Sequence, residues 1–209
     1  VPVLPGEDGS LYFTDSVTGG DAVEFFHPAS GSVDSWVHQA DEFVSAGFRV
    51  VTYDRRGTGR SPARGAADRT DDMADLHILL DYLGVGASHL VAAAGGGPIA
   101  LQFSLVRPER VTSLVLSATV GGLADAGYRE MQARCVTPDL TSLPWSLSEL
   151  SAGYRALHPE GVRRWEAVRA AAHQERAFTL NSGTRTSITS ARLAGHGTPT
   201  CCLSVPPTC

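Results

Sequence analysis

The stretch "HLVAAAGGGPIALQ", residues 89–102, sets the tightest limit on what this chain can fold into. An apolar run, three consecutive glycines and Pro98, then a second apolar run, read as a strand turned abruptly into a helix. Glycine lets backbone segments approach closely at such a turn, and proline is favoured in the first turn of a helix. Strand–turn–helix units of this kind are where α/β proteins place a nucleophile or a phosphate. Here the turn holds only Ala93, Ala94, Gly95, Gly96 and Gly97, and none of these side chains does covalent chemistry.

Around the turn, strand-like and helix-like segments alternate. "LYFTDS" (11–16), "AVEFFH" (22–27) and "FRVVTYD" (48–54) predict strands. Residues 32–47 place Val33, Trp36, Val37, Ala40, Phe43 and Val44 at helical spacing, with Gly47 as a C-cap. Residues 69–86 place Met73, Leu76, Leu79, Leu80 and Leu83 on one helical face. A strand at "SHLVAAA", a helix from Gly95 and a strand at "RVTSLVLSAT" follow. The last two strands are nearly continuous apolar runs, which predicts burial on both faces of a parallel sheet. The expected class is α/β, a doubly wound and mostly parallel sheet.

From about residue 119 to 185 the strand signal stops. "AGYREMQARC", "SLSELSAGYRAL" and "EGVRRWEAVRAAAHQERAF" read as helices separated by Pro138, Pro144 and Pro159. "SITSARLAG" predicts one more helix and "TPTCCLSV" (198–205) one more strand. The expected organisation is one domain: a core over 1–118, a helical cap over 119–185 and the remainder of the core over 186–209.

Two chemistries compete for the glycine turn. Gly95, Gly97 and Ala100 satisfy G-x-G-x-x-A, the spacing that brings pyrophosphate to a helix N-terminus. A dinucleotide site also needs an acid at the end of the next strand, and that position reads Ser117-Ala118-Thr119. The alternative is a nucleophile elbow, which tolerates only small residues around its middle position. Ala92, Ala94 and Gly96 keep that steric pattern.

The motifs "HLVAAAGGGPIALQFSLVRPERVTSLVLSA", "YDRRGTGRS" and "FFHPASGSVDSW" stand in an order and spacing that resemble the α/β-hydrolase superfamily, in its esterase, lactonase and haloperoxidase-like group. The resemblance covers roughly residues 10–204. It implies an α/β-hydrolase sheet with a helical cap and a small-molecule substrate or ligand. It aligns Ala94 with the family's serine, so the acyl-enzyme route is closed at this position. It also implies Gly95 and Ala29 as the oxyanion N–H donors, with Pro28 removing one backbone donor from the loop and His27 bordering the pocket.

The family's acid and histidine belong after its seventh and eighth strands. Here "TPTCCLS" is followed by "VPPTC", so the resemblance predicts a core lacking the last strand and helix, and with it the Ser-His-Asp apparatus. Because the chain begins with Val, at least one end is expected to be non-native. Without a further strand, the last one is an open sheet edge, and dimerisation through it is expected.

Other side chains offer few substitutes. His38 and His77 fall on solvated helix faces, His89 starts a strand, and His158 and His173 lie in the expected cap, from which one of them can overhang the cleft. His196 is the seventh histidine. Ser30 and Ser32 are hydroxyls without an identifiable base. Arg55, Arg56 and Arg60 either clamp an anion or pair within the fold, and the second reading is favoured. Cys201 and Cys202 lie in a strand expected to be buried, a poor setting for a reactive thiolate. The four cysteines show no CxxC spacing, so no metal site and no cofactor are expected.

A net charge of −5 with interspersed signs disfavours nucleic acid or an anionic membrane as partner. No run approaches the roughly 20 apolar residues of a membrane span, and the first residues do not read as a signal peptide. A cytoplasmic location is the expectation. Three outcomes remain open: non-covalent catalysis in a serine-less pocket, ligand binding on an inactive scaffold, or an incomplete or frame-shifted chain.

Overall fold

Two periodicities build the fold: alternating or continuous apolar runs form strands, and apolar residues three and four apart form the helices that cover them. The computed structural model describes residues 3–4, 10–62, 72–119, 121–135, 143–172 and 188–204. Its strands are β1 (Val3–Leu4), β2 (Leu11–Asp15), β3 (Ala22–Phe26), β4 (Arg49–Tyr53), β5 (Ser88–Ala93), β6 (Val111–Ser117) and β7 (Thr200–Leu203). They form one sheet in the order β1-β2-β4-β3-β5-β6-β7. The pairs β1–β2 and β2–β4 are antiparallel, and every pair from β4 to β7 is parallel. The two-residue β1 was not foreseen, because so short an apolar pair carries no periodicity.

Helices α2 (Asp72–Tyr82) and α3 (Gly97–Val106) bury one face of the sheet. Leu76, Leu79, Leu80, Ile99 and Phe103 meet Phe26, Val51, Leu90, Leu114 and Leu116 there in the larger core. The predicted α2 face holds, with Met73 and Leu83 packed at its margin. On the other face, α1 (Val37–Ser45) and the 3-10 turn Val33–Trp36 before it cover Val23, Phe25 and Val50. Ser32 starts that turn by accepting a hydrogen bond from the Asp34 N–H, and Gly47, at φ +91°, ends the helix as expected.

Burial on both faces is true of the middle of the sheet only. All of β3 and four of the five residues of β4 are buried, but β5 and β6 alternate between buried and half-buried positions. The reason is coverage: the smaller core engages Val91 and Ala93 of β5 only partly. Burial fails altogether at β7, where all four residues are exposed. Cys201 and Cys202 are therefore exposed, contrary to the burial expected of them, because among the described residues β6 is the strand's single neighbour in the sheet.

Beyond β6 lies a helical layer of α4 (Ala126–Cys135), α5 (Trp145–Glu149), α6 (Ala152–Leu157) and α7 (Pro159–Ala172), followed by α8 (Ser190–Ala194) and β7. The segment expected as a single helix over 146–157 is two, because Ser151 restarts the chain as an N-cap whose side chain accepts from the Tyr154 N–H. Among the described residues of α4 to α7, Ala172 alone is buried. No described helix is long and apolar enough to cross a membrane. His173 and the tail after Ser204 lie outside the described residues.

Candidate active site

Each small residue of the turn after β5 has its own steric reason. Ala94 has φ 45°, a left-handed conformation costing about 1–2 kcal/mol for a residue with a Cβ. A Cβ on Gly95 would stand 2.7 Å from the Ala29 Cβ and 3.1 Å from the Ala29 backbone N. On Gly96 it would meet the Phe26 carbonyl oxygen at 2.7 Å, and on Gly97 the Thr119 Oγ1 at 2.0 Å. The turn is thus wedged between the end of β3, the loop that follows it, and the end of β6. Thr119 donates its hydroxyl proton to the Ala94 carbonyl and closes the third side. Close packing against neighbouring residues accounts for each glycine without a phosphate.

The loop 27–32 forms the opposite wall. His27 is fully buried, and its Nδ1–H donates to the Pro28 carbonyl at 2.7 Å. Its Nε2 accepts the Arg55 backbone N–H at 3.2 Å and the Arg55 Nε–H at 3.3 Å. A ring that donates through one nitrogen and accepts through the other is neutral and fixed in tautomer. His27 thereby ties the loop 27–32 to Arg55. Asp54, buried at the end of β4, ties the same wall to the next loop. Its Oδ1 accepts the Val33 N–H and its Oδ2 the Arg60 N–H, each at 2.8 Å. Burial pushes the Asp54 carboxyl above the usual range, and those two hydrogen bonds oppose the shift. Gly59, at φ +52°, leaves no room for a side chain beside that carboxylate.

The three arginines of the 55–60 loop are engaged within the protein. Arg55 holds His27, Arg56 pairs with Asp75 at 2.9 Å with both side chains buried, and Arg60 pairs with Asp34 at 3.0 Å over the Tyr12 ring. The other described histidines are spread around the fold. His89 meets the Ser113 hydroxyl, His196 the Ser104 hydroxyl, and His158 stacks beside Tyr154. His38 is exposed on α1. His77 is less solvated than its helix position suggested, because Arg110 reaches it at 3.2 Å from the start of β6. Among the described residues, no group of three or more His, Cys, Asp or Glu side chains is arranged to hold a metal ion.

One contact escaped the sequence entirely. The Ser30 hydroxyl, on the loop beside Ala29, donates to Glu149 Oε2 at 2.7 Å. Ser30 does have an acidic partner, supplied by α5 from 119 positions further along the chain. No local pattern signals a pair so far apart.

A mostly parallel sheet, a strained elbow at the end of a central strand and a loop wall facing it define the α/β-hydrolase class of architecture. The family model for the alpha/beta hydrolase fold matches residues 21–178, and the chain belongs to that family. It is 32% identical over 152 residues to a 2-hydroxy-6-oxononadienedioate/2-hydroxy-6-oxononatrienedioate hydrolase of Burkholderia vietnamiensis, covering 66% of this chain and 53% of the relative. It is 38% identical over 122 residues to a non-heme chloroperoxidase of Streptomyces lividans, covering 56% and 44%. The chain thus spans about half the length of these curated relatives. The crystal structure of a carboxylesterase from Nitrososphaera gargenis shares the fold, with TM-score 0.77 at 18% identity over 97% of this chain and 79% of that one.

Proposed function

We propose that this hydrolase-fold chain holds a small carbonyl compound at the elbow without forming an acyl-enzyme. The observation that carries the reading is Ala94, fixed at φ 45° with a methyl where a nucleophile would project. A methyl group has no lone pair to attack a carbonyl, yet the backbone that would present it is kept. Gly95 follows in the first turn of the helix, where a backbone N–H has no carbonyl of the preceding turn to bond and carries partial positive charge. That N–H is the donor for a carbonyl oxygen or a developing oxyanion, with Ala29 beside it as the second candidate. Turnover, where it occurs, relies on orientation and oxyanion stabilisation.

A purely ligand-binding role is the second reading. The commitment of His27, His77, His89 and His196 to structural partners favours it. Fluorophosphonate treatment followed by p-nitrophenyl acetate assay and acetophenone titration separates the two. No fluorophosphonate adduct and saturable acetophenone binding are expected. Ester turnover that survives the treatment selects non-covalent catalysis, and its absence selects binding alone. A stoichiometric covalent adduct on any serine overturns the proposal.

A further inference from the structure

The Ser30–Glu149 contact places a carboxylate from the cap one residue along the loop from Ala29, which packs against Gly95. Consecutive Cα atoms are about 4 Å apart, so the carboxylate is held on the same stretch of loop as Ala29, on the wall that faces the position assigned to the ligand carbonyl. Ser30 is 5% exposed while Glu149 is exposed, so the acid reaches in from the solvent side and bonds a hydroxyl buried in the wall. Among the described residues, Ser30 is the partner of that carboxylate. The neighbouring Arg155 is turned to the carbonyls of Ser146, Leu147 and Leu150 at the end of α5, not to the carboxylate. The other end of α5 is held by Trp145, whose ring lies under the Arg169 guanidinium of α7 at 4.9 Å. The short helix is therefore pinned at both ends, and its acid has a fixed place.

We infer that Glu149 is a specificity-determining residue that selects carbonyl ligands carrying a cationic or hydrogen-bond-donating group and rejects carboxylated ones. The inference rests on the elbow reading above, since it places the acid beside a bound carbonyl. One oxygen of Glu149 is occupied by the Ser30 hydroxyl, and the second accepts a donor from the ligand. An ammonium or hydroxyl supplies that donor. A ligand carboxylate meets like charge and has no proton to offer. The Burkholderia relative is named for a dicarboxylate substrate. The Glu149 carboxylate disfavours such a dianion.

The test is a set of three ketones of one shape, which cannot be hydrolysed: acetophenone, 4-(aminomethyl)acetophenone and 4-acetylbenzoate. Affinities are measured by calorimetry at pH 7 and low salt, for the protein and for Glu149→Gln. Glutamine keeps a carbonyl oxygen for the Ser30 hydroxyl, removes the charge and turns the ligand-facing acceptor into an NH2 donor. The amine is expected to bind about two- to fivefold more tightly than acetophenone, the range of an exposed ion pair, and the carboxylate more weakly. The ratio of amine to acetophenone affinity is expected to approach one in Glu149→Gln and to fall with added salt in the unsubstituted protein. Acetophenone binding with no amine preference, or a preference unchanged in Glu149→Gln, overturns the specificity role and leaves the elbow reading standing. Failure of all three ketones to bind overturns the elbow reading and the inference with it.

Discussion

Replacing Glu24 with methionine is expected to stabilise the protein, and the gain should grow with pH. Glu24 occupies the middle of β3, opposite Val51 on one side and Leu90 on the other. It is fully buried, and among the described residues neither carboxylate oxygen has a hydrogen-bond partner. Burial raises its pKa well above the ordinary 4.5, and the Arg110 charge opposes that shift more weakly. Methionine follows the same unbranched path and has no oxygen to desolvate. Relieving a buried, unsatisfied polar group is worth about 1–3 kcal/mol even where the acid is neutral in both states.

Above pH 4.5 a second contribution enters. The unfolded chain releases the Glu24 proton while the folded chain retains it, so the unsubstituted protein loses stability as pH rises. The slope is about 1.36 kcal/mol per pH unit until the raised folded-state pKa is reached. The methionine variant lacks that slope. Urea midpoints at pH 5.0, 6.0 and 7.5 measure the difference, with Glu24→Gln as the companion, since it removes the proton equilibrium but keeps polar atoms. A methionine variant less stable than the parent at pH 7.5, or a gain that is flat from pH 5.0 to 7.5, refutes the reasoning.

Three further outcomes follow from the packing. Gly95→Ala drives a methyl into the Ala29 Cβ at 2.7 Å and is expected to cost about 1–3 kcal/mol by urea unfolding and to abolish acetophenone binding; retained binding would contradict the wedge. Asp75→Ala removes the buried carboxylate paired with Arg56 and is expected to cost about 1–3 kcal/mol in the same assay; a loss below about 0.5 kcal/mol would show the pair to be solvated. Cys135, Cys201 and Cys202 are exposed thiols, so a maleimide should label all three in the native protein at rates close to those in urea. Labelling of Cys201 and Cys202 only after unfolding would mean that β7 is covered.

The elements that could be read from sequence are those governed by neighbours. The α2 face from Met73 to Leu83 was visible because a helix repeats its buried positions every three or four residues. The elbow was visible because only small residues tolerate φ 45° beside three packed walls. What was hidden depends on residues brought together from afar. The sequence placed His27 beside the oxyanion loop, but not the partner of its second nitrogen, which is Arg55 from across the sheet ends. Ser30 looked unpartnered because Glu149 arrives from the cap. The burial expected of Cys201 and Cys202 followed from their apolar neighbourhood and conflicted with the edge position expected of the same strand; the edge decided the outcome, because a local run does not say which strands find a second neighbour. Glu24 gave no warning either: a single acid in an apolar run reads as a surface position, and burial of both faces of β3 makes it an internal one.

The parallel pairing of β6 with β7 has a consequence for how the molecule is divided. Two parallel neighbours must be joined by a crossover, and the shortest one needs only a dozen or so residues. Everything from α4 to α8 lies inside that single connection, while every other strand pairing is complete by the end of β6. In chain order that connection is a cassette: exchanging it is expected to leave the pairings from β1 to β6 unchanged, provided the replacement keeps a buried apolar side chain at Ile188. Glu149 travels with the cassette and Ser30 with the scaffold, so a grafted cap carries its own electrostatic preference to an elbow that stays the same.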